Sequence, residues 1–231
     1  MEETTFQDLP SEIQLLIVSC VAKKSFKDLY RLRSTCKSMR ALADTPAVYN
    51  SFDLYEYPWW TGLRNTLLRR CYDVGNPSTL YIKGVEYFYR LQRHEEGIAL
   101  LKQAADAGYP RALYTYAMTR KLYWGDERCF ARFTREAVSE IGSLVREDDV
   151  PWVGVENQDF ESKKFMFMSI DRPLFYNCPC VPTVDIDWDL WHIEFIKPKA
   201  MCDRCFWIKE VGLFLRDFRC ATTFPPFHTW E

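Results

Sequence analysis

The sequence lacks the features that mark nucleic-acid-binding and membrane-spanning proteins. Its 30 basic and 32 acidic residues are spread over 231 residues, with no basic block dense enough to follow a phosphate backbone. The apolar stretch from Ile13 to Ala22 is too short to cross a hydrocarbon core about 30 Å thick. We therefore expect neither nucleic acid nor a membrane as a partner.

Signs of catalysis and secretion are scarce as well. The chain has no glycine-rich phosphate loop and no His-Glu-x-x-His motif, and only three histidines, His94, His192 and His228, are available as bases. A Cys–His nucleophile pair stays open, because its members need only meet in space. The acidic N-terminus is unlike a secretory signal, so we expect a non-enzymatic protein of the cytoplasm and/or nucleus. In that reducing setting the nine cysteines are not expected to form a disulfide framework.

An apolar helical pattern is present in the first 45 residues. Ser11 can cap a helix whose apolar residues Ile13, Leu16 and Ile17 share one face, and a second helical pattern runs from Lys27 to Leu42. So small a hairpin has few internal partners for its apolar side chains. The pattern predicts either a docking surface for another protein or packing against the rest of the same chain.

The individual residues of this segment favour docking. They read Leu9-Pro10-x-Glu12-Ile13, then Ile17, Val21, Asp28-Leu29, Leu32 and Cys36-Lys37-x-Met39-Arg40-x-Leu42. This series resembles the F-box, the module by which substrate receptors join Skp–cullin ubiquitin ligases, with Met39 where the family more often has Trp or Phe. The resemblance implies an F-box over residues 1–50 that contacts a Skp-type adaptor, and through it a cullin. The adaptor-binding residues that it implies are Leu9, Pro10, Ile13, Ile17 and Leu29.

A repeat follows in the middle of the chain. The pattern Leu67-Leu68 … Gly75-Asn-Pro77 … Leu80-Tyr81 returns 33 residues later as Leu100-Leu101 … Gly108-Tyr-Pro110 … Leu113-Tyr114. A glycine that ends one helix and a proline that opens the next predict a helix–turn–helix unit, and a period in the thirties predicts a short α-solenoid over residues 62–147. The small residues in the repeat resemble those of Sel-one-type relatives of the tetratricopeptide repeat.

Aromatic side chains in the repeats are candidates for substrate binding. In longer solenoids the concave face holds a peptide, and this comparison selects Tyr81, Tyr87, Tyr114 and Trp124. Aromatic residues at helical spacing more often fill the interior, so packing is the alternative for each of them.

Residues 148–231 are rich in proline and are predicted to be an irregular region. Two cysteine pairs, Cys178-Pro-Cys180 and Cys202-Asp-Arg-Cys205, have the residue types of a four-thiolate zinc site, although Cys-x-Cys is a less usual spacing. We therefore expect one structural zinc, with His192, His228 and Cys220 as substitute ligands and burial as small apolar residues as the alternative. The second pair, with Trp207 and Glu210, resembles the C-terminal segment of a group of plant F-box proteins.

Three carboxylates alternate with apolar residues between the two cysteine pairs. Asp185, Asp187 and Asp189 would share one face of a short strand. The solvent-exposed face of an edge strand is a simpler explanation for these three carboxylates than a paired-carboxylate catalytic site.

The sequence as a whole predicts a mainly α-helical substrate receptor. F-box helices, a short α-solenoid and an irregular cysteine-containing C-terminal region follow one another, and no part is expected to be catalytic. A helical-repeat scaffold without a ligase, in which the N-terminal hairpin caps its own solenoid, is the alternative. The substrate protein cannot be read from residue types.

Overall fold

The structure, a computed structural model, describes residues 6–54, 64–146, 157–181, 193 and 201–218, apart from the side chains of residues 64 and 65. Every regular element in this part of the chain is helical. The α-helices are α1 Ser11–Lys24, α2 Phe26–Thr35, α3 Lys37–Ala43, α4 Pro46–Ser51, α5 Arg64–Asp73, α6 Pro77–Val85, α7 His94–Asp106, α8 Pro110–Trp124, α9 Arg135–Arg146, α10 Gln158–Ser169, α11 Asp171–Tyr176 and α12 Asp203–Asp217. The predicted mainly α-helical class, with N-terminal helices followed by helical hairpins, is confirmed.

Short helical turns complete the described elements. Phe6–Asp8 and Arg128–Arg132 are 3₁₀ turns, and Glu86–Arg90 is a π-helical turn that extends α6. No described helix has the length and apolar character needed to cross a membrane. The contacts divide the chain into two compact units, with the boundary inside α6 between Lys83 and Gly84.

The first unit contains α1 to α5 and most of α6. The second predicted helix is in fact two, because Cys36 takes an extended conformation and its thiol accepts a hydrogen bond from the Met39 amide at the start of α3. The first helix begins at Ser11 itself, with Pro10 rather than Ser11 at the N-cap position. Met39 is buried, so the unusual methionine fills the interior where the related motifs more often have an aromatic ring.

A buried asparagine joins the N-terminal helices to the repeat segment within the first unit. The Asn76 amide nitrogen donates to the backbone carbonyls of Tyr49 and Phe52, each at 2.8 Å, and its oxygen accepts from the Ser78 amide at 2.9 Å and the Ser78 hydroxyl at 2.6 Å. Asn76 is fully buried. The carbonyls at the end of α4 are thereby satisfied without water, which fixes α4 against the turn between α5 and α6.

The repeat turns have the predicted geometry. Gly75 and Gly108 have φ of +74° and +80°, and their amides bond to the carbonyls of Tyr72 and Ala105, each at 2.9 Å. The next amides, of Asn76 and Tyr109, reach back five residues to carbonyl oxygens at 2.9 and 3.1 Å. This is a Schellman ending, after which Pro77 and Pro110 open α6 and α8.

The second unit is built around α12. This helix is buried along most of its length, from Cys205 to Leu215, with Trp207 partly exposed. The C-terminal region therefore contains more helix than predicted: α10, α11 and α12 occupy most of its described residues. The sequence pattern missed α12 because a helix covered on all sides has no polar face to produce an amphipathic period.

A buried ionic cluster pins α12 to its neighbours. Arg146 of α9 donates to Glu210 of α12 at 2.9 Å and to the hydroxyl of Tyr114 of α8 at 2.6 Å. The Arg146 and Glu210 side chains are 8% and 4% exposed. Although burial opposes its charge, Tyr114 and Glu210 raise the pKa of Arg146, so that the arginine stays charged and paired.

Candidate functional site

Helix α1 presents an apolar face that its own unit leaves uncovered. Ile13, Leu16 and Ile17 are 43%, 59% and 38% exposed, and Cys20 is exposed as well. Their spacing of i, i+3, i+4 and i+7 places them on one side of the helix. We call these four residues the α1 stripe. The opposite side is packed, with Val18 and Ala22 buried.

The segment before α1 is held in place by the helix itself. The side-chain amide of Gln14 donates to the Leu9 carbonyl at 2.8 Å. The backbone amides of Ile13 and Gln14 both donate to the Pro10 carbonyl at 3.0 Å. Pro10 is exposed and Leu9 is half-buried. Both residues thus sit at the N-terminal end of α1, ordered by its first turn.

The predicted adaptor-binding residues fall into two groups. Pro10, Ile13 and Ile17 are exposed, with Leu9 at the margin, whereas Leu29 is only 2% exposed and packs inside the first unit. Leu29 thus supports the helices in this structure and is not part of their surface. Leu16, which the sequence analysis did not select as a contact, is the most exposed apolar residue of α1.

The aromatic residues proposed for substrate binding are not brought together as an exposed patch. Tyr81 and Tyr114 are 1% and 0% exposed, so they fill the interiors of their units, and burial raises the pKa of the Tyr114 phenol. Tyr87 is half-buried beneath the Arg93 guanidinium, 4.3 Å from its ring centre. Trp124 is 48% exposed and is the member of the set with the most surface to offer.

A cleft in the second unit is a candidate binding site that sequence reasoning missed. It has a volume of about 440 Å³. Its apolar lining is Phe167, Leu174, Trp207, Ile208 and Val211, and its charged lining is Lys121, Glu127, Asp171, Asp203 and Arg204. A cavity of this size, lined by both apolar and charged side chains, suits a short peptide segment or a small ligand. These residues come from three segments that are distant in sequence, 121–127, 167–174 and 203–211, so no single local motif signals the cleft.

The four cysteines of the C-terminal pairs form a compact cluster. The sulfur atoms of Cys178, Cys180, Cys202 and Cys205 all lie within 4.8 Å of one another. Those of Cys178 and Cys180 are 3.4 Å apart, Cys180 and Cys202 are 3.6 Å apart, and Cys178 and Cys202 are 4.0 Å apart. The residues are free thiols in the structure, and a disulfide would need sulfurs about 2.05 Å apart.

The backbone explains why the thiols converge. Cys178 begins a tight turn in which the Val181 amide donates to the Cys178 carbonyl at 3.0 Å. This turn brings the sulfurs of Cys178 and Cys180 close together. Cys202 and Cys205 flank the first residues of α12. The Cys205 amide, followed by the Cys180 thiol, lowers the pKa of Cys202 to about 7, whereas burial raises the pKa of Cys205.

Several residues weighed in the sequence analysis lie outside the part of the chain that the structure describes. These are the alternative ligands His192, Cys220 and His228 and the carboxylates Asp185, Asp187 and Asp189. The four-cysteine set is the group of candidate metal ligands found among the described residues.

Comparison with protein families supports the interpretation of residues 6–139. Residues 6–55 match the F-box-like family, and residues 52–139 match the family of plant tetratrico peptide repeats. The chain therefore has an F-box-like domain followed by plant-type helical repeats. The resemblance to plant F-box proteins that the sequence indicated is confirmed.

Three curated relatives from Arabidopsis thaliana are similar to about half of this chain. A putative F-box protein is 29% identical over 112 residues, which are 48% of this chain and 38% of the relative. A second F-box protein is 26% identical over 51% of this chain and 74% of its own length, and a third is 29% identical over 51% of this chain and 34% of its own.

This chain therefore covers about a third to three quarters of the lengths of these relatives. No solved structure matches it significantly. F-box domains generally bind Skp-type adaptors, and F-box proteins are typically non-catalytic receptors. The family matches give no catalytic family for this chain.

Proposed function

We propose that this protein is a substrate-recognition subunit of a Skp–cullin–F-box ubiquitin ligase. The observation that carries the proposal is the α1 stripe within the F-box-like segment. Ile13, Leu16 and Ile17 of the stripe are 38–59% exposed, and burying the remaining area of each would contribute about 1 kcal/mol. Such a stripe on a short, otherwise well-packed helical unit needs a partner.

The partner in this proposal is a Skp-type adaptor, which links the chain to a cullin. Pro10 and the α1 stripe form the contact, with Leu9 at its edge, while Leu29 holds α2 beneath them. The chain itself performs no chemistry. It would raise the rate of ubiquitin transfer by holding a substrate near the activated ubiquitin, in the cytoplasm and/or nucleus.

The second unit is where the proposed receptor holds its substrate. The lining of the cleft combines apolar residues, among them Phe167, Trp207 and Ile208, with acidic and basic residues. Trp124 adds exposed aromatic surface. A short peptide segment with an apolar anchor and flanking charges fits this chemistry.

The alternative is a helical-repeat scaffold without a ligase, in which the N-terminal helices only cap the solenoid. In that role, the apolar surface of the N-terminal helices would be buried against the repeats. Within the first unit, however, it is α4 that is bonded through Asn76 to the repeat turn, and the α1 stripe stays exposed. This arrangement favours the receptor.

Affinity purification from plant cells with the proteasome blocked separates the two functions. The intact protein should retain a Skp-type adaptor and a cullin, and Leu9→Ala/Pro10→Ala should lose both. Proteins that both forms retain are substrate candidates. Absence of adaptor and cullin from the intact protein's partners would favour the scaffold.

A further inference from the structure

We propose that Cys178, Cys180, Cys202 and Cys205 bind one structural Zn²⁺ that fastens the N-terminus of α12 to the turn after α11. A zinc–sulfur bond of about 2.3 Å requires tetrahedral sulfurs about 3.8 Å apart. The separations of 3.4, 3.6 and 4.0 Å lie on both sides of that value. The remaining sulfur, of Cys205, completes a set spanning no more than 4.8 Å, which leaves room for a single ion at its centre.

The surroundings of the cluster suit thiolates. Binding Zn²⁺ with four cysteines releases four protons to solvent and leaves a net charge of −2 on the site. The cluster sits at the N-terminal end of α12, where unpaired amides and the helix dipole favour negative charge. The Cys202 amide also donates to the Cys180 sulfur at 3.4 Å.

The site is structural in character. Four protein sulfurs fill a tetrahedral shell and leave no position for a water or substrate, as in closed zinc sites. Cys205 is also buried, which places one side of the ion against the interior of the second unit. The ion would then supply a fixed point for a helix that is central to this unit.

The zinc also connects to the cleft of the second unit. Asp203 and Arg204 lie between two of the ligands and line the cleft, and Arg135 of α9 pairs with Asp203 and donates to the Met201 carbonyl at 2.7 Å. Fixing Cys202 and Cys205 thus fixes two charged residues of the cleft rim. This inference does not depend on adaptor binding, which uses residues of the first unit.

Metal analysis of the full chain, purified without chelator and under reducing conditions, tests the site directly. We expect zinc near one ion per chain in the native protein and in the control Cys36→Ser, whose thiol is exposed and outside the cluster. Zinc should fall to near zero in Cys178→Ser/Cys202→Ser. Retention of the zinc by this double variant would overturn the proposal, because the ion would then lie elsewhere.

A cobalt titration keeps the proposal testable if the double variant does not fold. Chelator-treated native protein should take up one Co²⁺ and develop the visible bands and sulfur charge-transfer absorption of a tetrahedral thiolate site. Native protein that contains no zinc and gives no such spectrum would contradict the proposal.

Limited proteolysis tests the structural role separately. Chelation should open new cuts within residues 171–217, while Skp-type adaptor binding through the α1 stripe persists. If zinc is removed and the protease pattern of this segment does not change, the ion does not fasten α12. If the untreated protein does not bind the adaptor, the proposed function is contradicted, whereas the zinc proposal still stands on the metal analysis.

Discussion

The helices α1 and α12 are both rich in apolar residues, but within the described residues only α12 is buried along most of its length. Helix α12 buries residues on every side, with Phe214 0% and Leu215 2% exposed. Helix α1 buries Val18 and leaves Leu16 59% exposed. Apolar content alone therefore does not identify a core helix: α12 lies in the interior of its unit, whereas α1 keeps an exposed apolar surface that a second protein can cover.

Removing the buried carboxylate of α12 should produce the largest loss of stability. Glu210→Ala leaves the Arg146 guanidinium buried without its ionic partner, and breaking such a pair costs about 3–5 kcal/mol. Urea unfolding, followed by hydrogen exchange of peptides from α8, α9 and α12, measures the effect. As a control, Asp106→Ala breaks the exposed pair with Lys102 and should hardly move the midpoint. Equal effects of the two variants would contradict the structural role of the buried cluster.

Removing the buried amide of the first unit should come next. Asn76→Ala leaves the Tyr49 carbonyl without the donor it has from Asn76 and leaves the Phe52 carbonyl with only the longer bond, of 3.3 Å, from the Ser78 hydroxyl, which we expect to cost about 2–3 kcal/mol. Thermal unfolding and hydrogen exchange of α4 and α5 report the change. The exposed side chain of Asn50 provides the matched control Asn50→Ala, which should be nearly neutral. A neutral Asn76→Ala would mean that α4 does not depend on this turn.

The repeat turn should respond more moderately. Gly108 has φ of +80° with open space around its missing side chain, so Gly108→Val costs backbone strain of about 1–2 kcal/mol rather than a clash. Gly108→Asn should cost less, because asparagine tolerates the left-handed conformation. The difference between the two melting temperatures is the measurement. If valine is tolerated as well as asparagine, the turn is not held in this conformation.

The smallest change in stability is expected on the α1 stripe. Leu16→Asp places a carboxylate where the side chain is already largely exposed, so the urea midpoint should stay within about 0.5 kcal/mol of the native value. A loss as large as that of Asn76→Ala would show that α1 packs against its own chain. The distinction between an exposed apolar face on α1 and a buried α12 would then be wrong.

The sequence predicted the elements whose residues carry local signals. Gly75-x-Pro77 and Gly108-x-Pro110 mark the ends and starts of repeat helices through backbone preference alone, and both turns have the expected form. Spacing also groups the four cysteines of the C-terminal pairs, and in the structure their sulfurs lie close together.

The remaining features depend on tertiary packing. The sequence predicts partner binding for Leu29 and substrate binding for Tyr114, but both side chains are buried in the structure. A helical period shows which residues share a face and does not show which face the fold covers. The cleft around Trp207 was missed for a related reason, since its lining is assembled from several helices distant in sequence.

The central claim, that α1 is the docking helix of a ligase receptor, is tested most directly by the affinity of the purified full chain for a Skp-type adaptor. Titration calorimetry should show one adaptor per chain, with affinity weakened at least about 100-fold, or 2.7 kcal/mol, by Ile17→Asp. Phe165→Asp, which changes an apolar residue of α10 that is 74% exposed, should bind like the native protein. Native affinity in Ile17→Asp, or no binding by the native chain, would contradict the account.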